Sequence, residues 1–119
     1  MDGSNQTHDD TSAEVCQILK ALADPNRLRI FEILMQGDAC NGHLNEQLGL
    51  APNLLSHHLS VLRKAGLVTD RRDAVDARWI YYAVNREALL TWYGWLTTFF
   101  DPARLNVQPN VCGPEYGLR

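Results

Sequence analysis

Residues 51–66 read Ala51-Pro52-Asn53-Leu54-Leu55-Ser56-His57-His58-Leu59-Ser60-Val61-Leu62-Arg63-Lys64-Ala65-Gly66. At about 100° of helical rotation per residue, Asn53, Ser56, His57, Ser60, Arg63 and Lys64 fall on one arc. Leu54, Leu55, His58, Leu59, Val61, Leu62 and Ala65 fall on the opposite one. One face carries short polar and basic side chains, and the other carries branched aliphatics. A helix that sits in a major groove while anchored to its own domain needs this division. His58 lies on the apolar arc and is expected to pack in the core with a local partner, since buried polar groups are satisfied nearby.

The flanking sequence supplies the rest of the unit. Asn41 is a candidate cap for a short helix from Gly42 to Leu48, Gly49 ends it, and Pro52 opens the helix that Gly66 closes. Two helices joined by a short Gly-containing turn form a helix-turn-helix. Upstream, Thr11-Ser12-Ala13-Glu14 has capping-box spacing, and Val15, Ile18, Leu19 and Leu22 carry a helix to about Ala23. Asp24-Pro25 restarts a helix through Leu28, Ile30, Phe31, Ile33 and Leu34, which stops at Gly37. Downstream, Leu67-Val68-Thr69 and Trp79-Ile80-Tyr81-Tyr82-Ala83-Val84 are rich in β-branched and aromatic residues and flank a charged stretch, Asp70 to Arg78. They predict a β-hairpin with a polar tip, a wing. Arg86 to Phe100 is helical, with Leu89, Leu90, Trp92, Tyr93, Trp95, Leu96, Phe99 and Phe100 around nearly the whole circumference. One small core cannot cover both sides of such a helix, so the other side is expected to meet a second subunit. The expected fold is mostly α with a small β-hairpin (α+β): a homodimeric winged helix-turn-helix in the order α-α-α-α-β-β-α. Residues 12–100 form the domain, 1–11 a disordered tail and 101–119 an irregular one.

The chain has 119 residues and a net charge of −3. Four of its acids, Asp2, Asp9, Asp10 and Glu14, fall in the first fourteen residues without a Lys or Arg. The remainder carries eleven basic and ten acidic residues, a net of +1. Arg63, Lys64, Arg71, Arg72, Arg78 and Arg86 lie close in sequence to Asp70, Asp73 and Asp76. The basic patch is local: enough for several phosphate contacts, too small for strong whole-protein attraction to DNA. No long apolar run spans a membrane, and the polar, acidic N-terminus is unlike a secretory signal, which places the protein in the cytoplasm. Three widely spaced cysteines, Cys16, Cys40 and Cys112, do not form a disulfide framework and are expected as reduced thiols. No Cys-x-x-Cys or nucleophile–base arrangement supports an enzyme.

The run Ala21-Leu22-Ala23-Asp24-Pro25-Asn26-Arg27-Leu28-Arg29-Ile30, followed by Leu55-Ser56-His57-His58-Leu59-Ser60-Val61-Leu62-Arg63-Lys64-Ala65-Gly66-Leu67-Val68, closely resembles the ArsR/SmtB family of metal-responsive repressors. Trp79-Ile80-Tyr81-Tyr82 resembles that family's second wing strand. The resemblance spans roughly residues 13–100. It implies a homodimer that represses an operon by holding double-stranded operator DNA and leaves when an inducer binds. It also implies that Asn53, Ser56 and His57 contact base edges or the groove wall. Arsenic-sensing members carry a Cys-x-Cys pair at the start of the third helix. Here Cys40 matches the first cysteine, but Gly42 stands in place of the second. Zinc sensors with ligands on the final helix need Asp and His there, and residues 86–100 contain neither.

The candidate DNA-binding residues are therefore Asn53, Ser56, His57, Ser60, Arg63 and Lys64 on the helix and Arg71, Arg72 and Arg78 on the wing. Asp73 and Asp76 stand where the family often has a glycine turn, and carboxylates repel phosphate. Thiolates select soft ions, and trivalent arsenic or antimony favours a pyramid of three sulfurs. Cys40, Cys112 and Cys16 are the candidate ligands of such an inducer. A site of only two thiols fits a methylated arsenic species better. His8, Asp9 and Asp10 near Cys16 offer a zinc or cadmium alternative. The rival readings are a winged-helix regulator that senses redox state or a nonmetal ligand, and an interaction module that kept the fold without DNA binding.

Overall fold

Most helix boundaries are set by side chains or glycines that satisfy the bare ends of the backbone. The computed structural model describes residues 3–106, with side chains from residue 13 onward. Cys112 lies outside the described residues, as do the side chains of His8, Asp9 and Asp10. Helix α1 spans Gly3–Leu22. It begins well before the capping box expected at Thr11, which lies inside the helix, so residues from Gly3 to Thr11 are helical where a disordered tail was expected. No proline interrupts this stretch, and extending a formed helix adds one hydrogen bond for each residue fixed.

Helix α2, Pro25–Met35, starts as the sequence predicts: Asp24 is extended, and its carboxylate accepts the Asn26 and Arg27 N–H groups at 2.8 and 3.2 Å. Strand β1, Ala39–Cys40, leads into α3, Asn41–Leu48. The cap of α3 is Cys40, not Asn41: the Cys40 Sγ accepts the His43 N–H at 3.4 Å. Asn41 is the first helical residue, and its Oδ1 accepts the Ile80 N–H at 3.4 Å, which ties the helix start to the wing. Gly49, at φ 65°, ends α3 in the left-handed conformation that favours glycine. Helix α4 is Pro52–Lys64. Gly66, at φ 82°, turns the chain into β2, Val68–Arg72, which pairs with β3, Ile80–Val84.

The antiparallel sheet has three strands in the order β1-β3-β2. Its register places Ala39 opposite Tyr82 and Cys40 opposite Tyr81 on one edge of β3, and Val68 opposite Val84 through Arg72 opposite Ile80 on the other. The hairpin was expected, whereas β1 was not: two residues carry no period. The core lies where α1, α2, α3, α4 and the base of the sheet meet, built on Ile18, Ile30, Leu34, Leu44, Leu55, Leu59, Leu62 and Val68.

Helix α5, Arg86–Phe99, is capped by Asn85, whose Oδ1 accepts the Ala88 N–H at 3.3 Å. The Asn85 Nδ2 donates to the Gly66 carbonyl at 3.0 Å, which fastens α5 to the end of α4. No residue of α5 is fully buried. Trp92 packs against the core, but Leu90, Tyr93, Thr97 and Phe100, three or four residues apart, form an exposed stripe. Leu19 on α1 is exposed as well. A single 3-10 turn, Pro102–Arg104, follows α5. Among the described residues no helix is long and apolar enough to cross a membrane.

Candidate nucleic-acid interface

Helix α4 presents two unlike faces. Leu55, Leu59 and Leu62 are 0–3% exposed, whereas Asn53, Ser56, His57, Arg63 and Lys64 are exposed and Ser60 is half-buried. His58 is buried, with its Nδ1 3.1 Å from an Arg27 Nη1. Arg27 has only donors, so His58 Nδ1 accepts and the neutral ring carries its proton on Nε2. The same guanidinium donates from Nε to the Ala21 carbonyl at 2.6 Å. Through Arg27 the end of α1, the start of α2 and the buried side of α4 are one hydrogen-bonded unit. Partial desolvation of Asp24 is outweighed by its hydrogen bonds from the Arg27 and Asn26 N–H groups and by the nearby Arg27 charge, which hold its carboxyl below the usual range.

Leu54 departs from the sequence reading. It belongs to the apolar arc, yet it is 41% exposed. The core beneath α4 ends at Leu55, and Leu54 overhangs it in the first turn beside Asn53, Ser56 and His57. Lys64, at the other end, lines a groove of about 400 Å³ with Gln17, Lys20, Ala21, Arg27, Val61 and Ala65, between α1, α2 and α4. The polar arc thus runs from a free N-terminal turn to an end packed beside the other helices.

The basic residues of the wing are largely engaged within it. Arg63 donates to Asp70 at 2.9 Å and joins α4 to β2. The Arg71 guanidinium lies 4.6 Å from the centre of the Tyr81 ring. Arg72 donates to the Ala77 carbonyl at 2.7 Å. Arg78 reaches both oxygens of Asp76, Nε donating to Oδ1 at 3.0 Å and Nη2 to Oδ2 at 2.7 Å, and its side chain is still mostly exposed. The Asp73 carboxylate accepts the Val75 and Asp76 N–H groups at 3.0 and 2.9 Å. Those backbone bonds hold Asp73 below the usual carboxylate range, and the Arg78 side chain does the same for Asp76. The two acids that take the place of a glycine turn therefore build the tip, and one of them neutralises an arginine proposed for phosphate.

Cys16 is exposed on α1, and Cys40 is half-buried at the start of α3. Position 42 faces the wing: a Cβ there would lie 3.9 Å from the Trp79 ring, an ordinary van der Waals contact. Asn41, Gly42, Arg78 and Trp79 line a shallow surface pocket. Among the described residues no group of three or more His, Cys, Asp or Glu side chains is placed to hold a metal ion.

Two helices in a tight turn, an exposed polar arc on the second and a β-hairpin beside it define a winged-helix DNA-binding regulator. Residues 24–70 match the model of the arsR family of bacterial regulatory proteins. The transcriptional repressor SdpR of Bacillus subtilis (strain 168) is 31% identical over 84 residues, covering 71% of this chain and 90% of SdpR. A probable mercury resistance operon repressor of Streptomyces lividans is 36% identical over 73 residues, 61% of this chain and 56% of that protein. The solution structure of a homodimeric winged helix-turn-helix domain from Mycobacterium bovis, Mb0332, shares the fold with a TM-score of 0.66 at 23% identity, covering 92% of this chain and all of that one. The chain belongs to the ArsR family of transcriptional regulators, which are DNA-binding proteins and not enzymes.

Proposed function

We propose that this chain is a cytoplasmic homodimeric repressor that holds operator DNA with α4 of each protomer and releases it when its cysteine thiolates capture trivalent arsenic or antimony. One observation carries the DNA reading: α4 buries Leu55, Leu59 and Leu62 and leaves Asn53, Ser56 and His57 in solvent on a turn that no other described element covers. The open stripe on α5 supports dimerisation, and a symmetric dimer sets its two α4 helices about one DNA turn apart, roughly 34 Å. The thiol reading rests on Cys40, which caps α3 directly ahead of the helix-turn-helix. The mercury-operon relative adds support for a soft-ion inducer. Cys40 is the one thiol at the start of α3, so Cys112, with Cys16 as a third ligand, completes the site within a protomer or across the dimer.

That single thiol also favours a second reading, in which oxidation of Cys40 is the signal. Gel shifts separate the two. Promoter DNA is titrated with the parent and with Cys16→Ser, Cys40→Ser and Cys112→Ser, with arsenite or with peroxide. The proposal expects arsenite to release the parent and to spare Cys40→Ser. Release of all three variants at the parental arsenite concentration overturns it, and release by peroxide alone favours the redox reading.

A further inference from the structure

We infer that Leu54 reads DNA directly, by packing against the C5-methyl group of a thymine at one position in each operator half-site. This deepens the DNA reading above and rests on it. Leu54 is third in α4, within the turn that carries Asn53, Ser56 and His57. Its side chain is 41% exposed although its neighbour Leu55 is 2% exposed, so the core does not use it. A second protomer seated on the open α5 stripe would lie at the other end of α4. Ala65 and Gly66, at the opposite end of the helix, line the groove shared with α1 and α5 through Glu14, Gln17 and Trp92. The open apolar stripe lies on α5, at that same end. Among the described residues no element covers the first turn of α4, and the DNA proposed above is what meets it. The major groove displays donors, acceptors and one apolar group, the thymine methyl. A leucine has no donor or acceptor with which to read any other base edge. Asn53, Ser56 and His57 around it can hydrogen-bond, so the turn combines polar readout with one apolar contact.

The test isolates that methyl group. A duplex is selected from a random library by the intact protein, and each thymine in its half-sites is replaced in turn by deoxyuridine, which lacks only the methyl. Affinities are measured for the parent, Leu54→Ala and Leu54→Met. At one thymine per half-site, deoxyuridine is expected to weaken the parent by about fourfold, the worth of one buried methyl. The same replacement leaves Leu54→Ala unchanged, and Leu54→Met, which keeps an apolar side chain of similar reach, retains the sensitivity. A purely structural role for Leu54 produces no such coupling to a single atom of DNA. If every deoxyuridine duplex affects parent and Leu54→Ala alike, or none weakens the parent, the assignment is wrong while DNA binding stands. If no duplex is selected over random sequence, DNA reading fails and this assignment fails with it.

Discussion

Replacing Tyr93 by Asp tests the outer stripe of α5 as the dimer seam. Tyr93 is 67% exposed in the protomer. An aromatic side chain offers about 200 Å² for burial, so a partner covering the open part removes about 130 Å² from water. At about 25 cal/mol per Å² this contributes about 3 kcal/mol. A two-fold axis uses the residue twice, so the change weakens association by up to about 6 kcal/mol, some four orders of magnitude in the dimer dissociation constant. A carboxylate there adds the cost of desolvating a charge. Sedimentation equilibrium at micromolar protein reads the outcome: a dimer for the parent and a monomer for Tyr93→Asp. Operator affinity falls as the dimer is lost. Because Tyr93 is largely exposed in the protomer, circular dichroism and the α4 core should be preserved. A variant that sediments as the parental dimer refutes the assignment of this face.

Asn85→Ala removes the cap of α5 and its link to Gly66, at a cost of about 1–2 kcal/mol. Thermal melting should fall by roughly 4–8 °C for each kcal/mol, and an unchanged melt would show that α5 is held by other means. Gly42→Cys restores a Cys-x-Cys pair, and its Cβ meets only ordinary contact with Trp79. A second thiol beside the first should tighten arsenite binding by about 10²-fold, followed as a change in tryptophan fluorescence; equal affinity would place the thiol site elsewhere. The wing tip has a pH signature. Asp73 and Asp76 titrate below the usual carboxylate value in the folded chain, so the order they confer is complete above about pH 4 and is lost as pH falls through their lowered values. The amide resonances of Val75 and Asp76 should titrate below about pH 4, and a midpoint above that shows the tip bonds do not form in solution.

The local chemistry of the chain made the helix-turn-helix legible. Asp24-Pro25, Pro52 and Gly66 stop or start helices for stereochemical reasons that hold in any context, and His58 on the leucine arc had to find a partner, which is Arg27. What depended on neighbours distant in sequence was not legible. Strand β1 exists because β3 has a free edge beside Ala39 and Cys40. Cys40 caps α3 because Asn41 bonds to Ile80. Leu54 shares the angular position of core residues, but the core stops one residue short of it, and periodicity does not report where a core ends. The wing arginines read as a basic patch, and only the folded hairpin pairs Arg78 with Asp76 and bonds Arg72 to Ala77.

The two residues of β1 make the weakest ladder of the sheet, and one of them carries the Cys40 sulfur. That ladder lies on the same central strand whose far edge holds the hairpin arm from Val68 to Arg72. A displacement of the main chain at position 40 is thus transmitted to the hairpin as strain or relieved by unzipping two residue pairs. The thiol and the wing are mechanically in series, joined by a seam of two residue pairs whose Ala39 also belongs to the buried core.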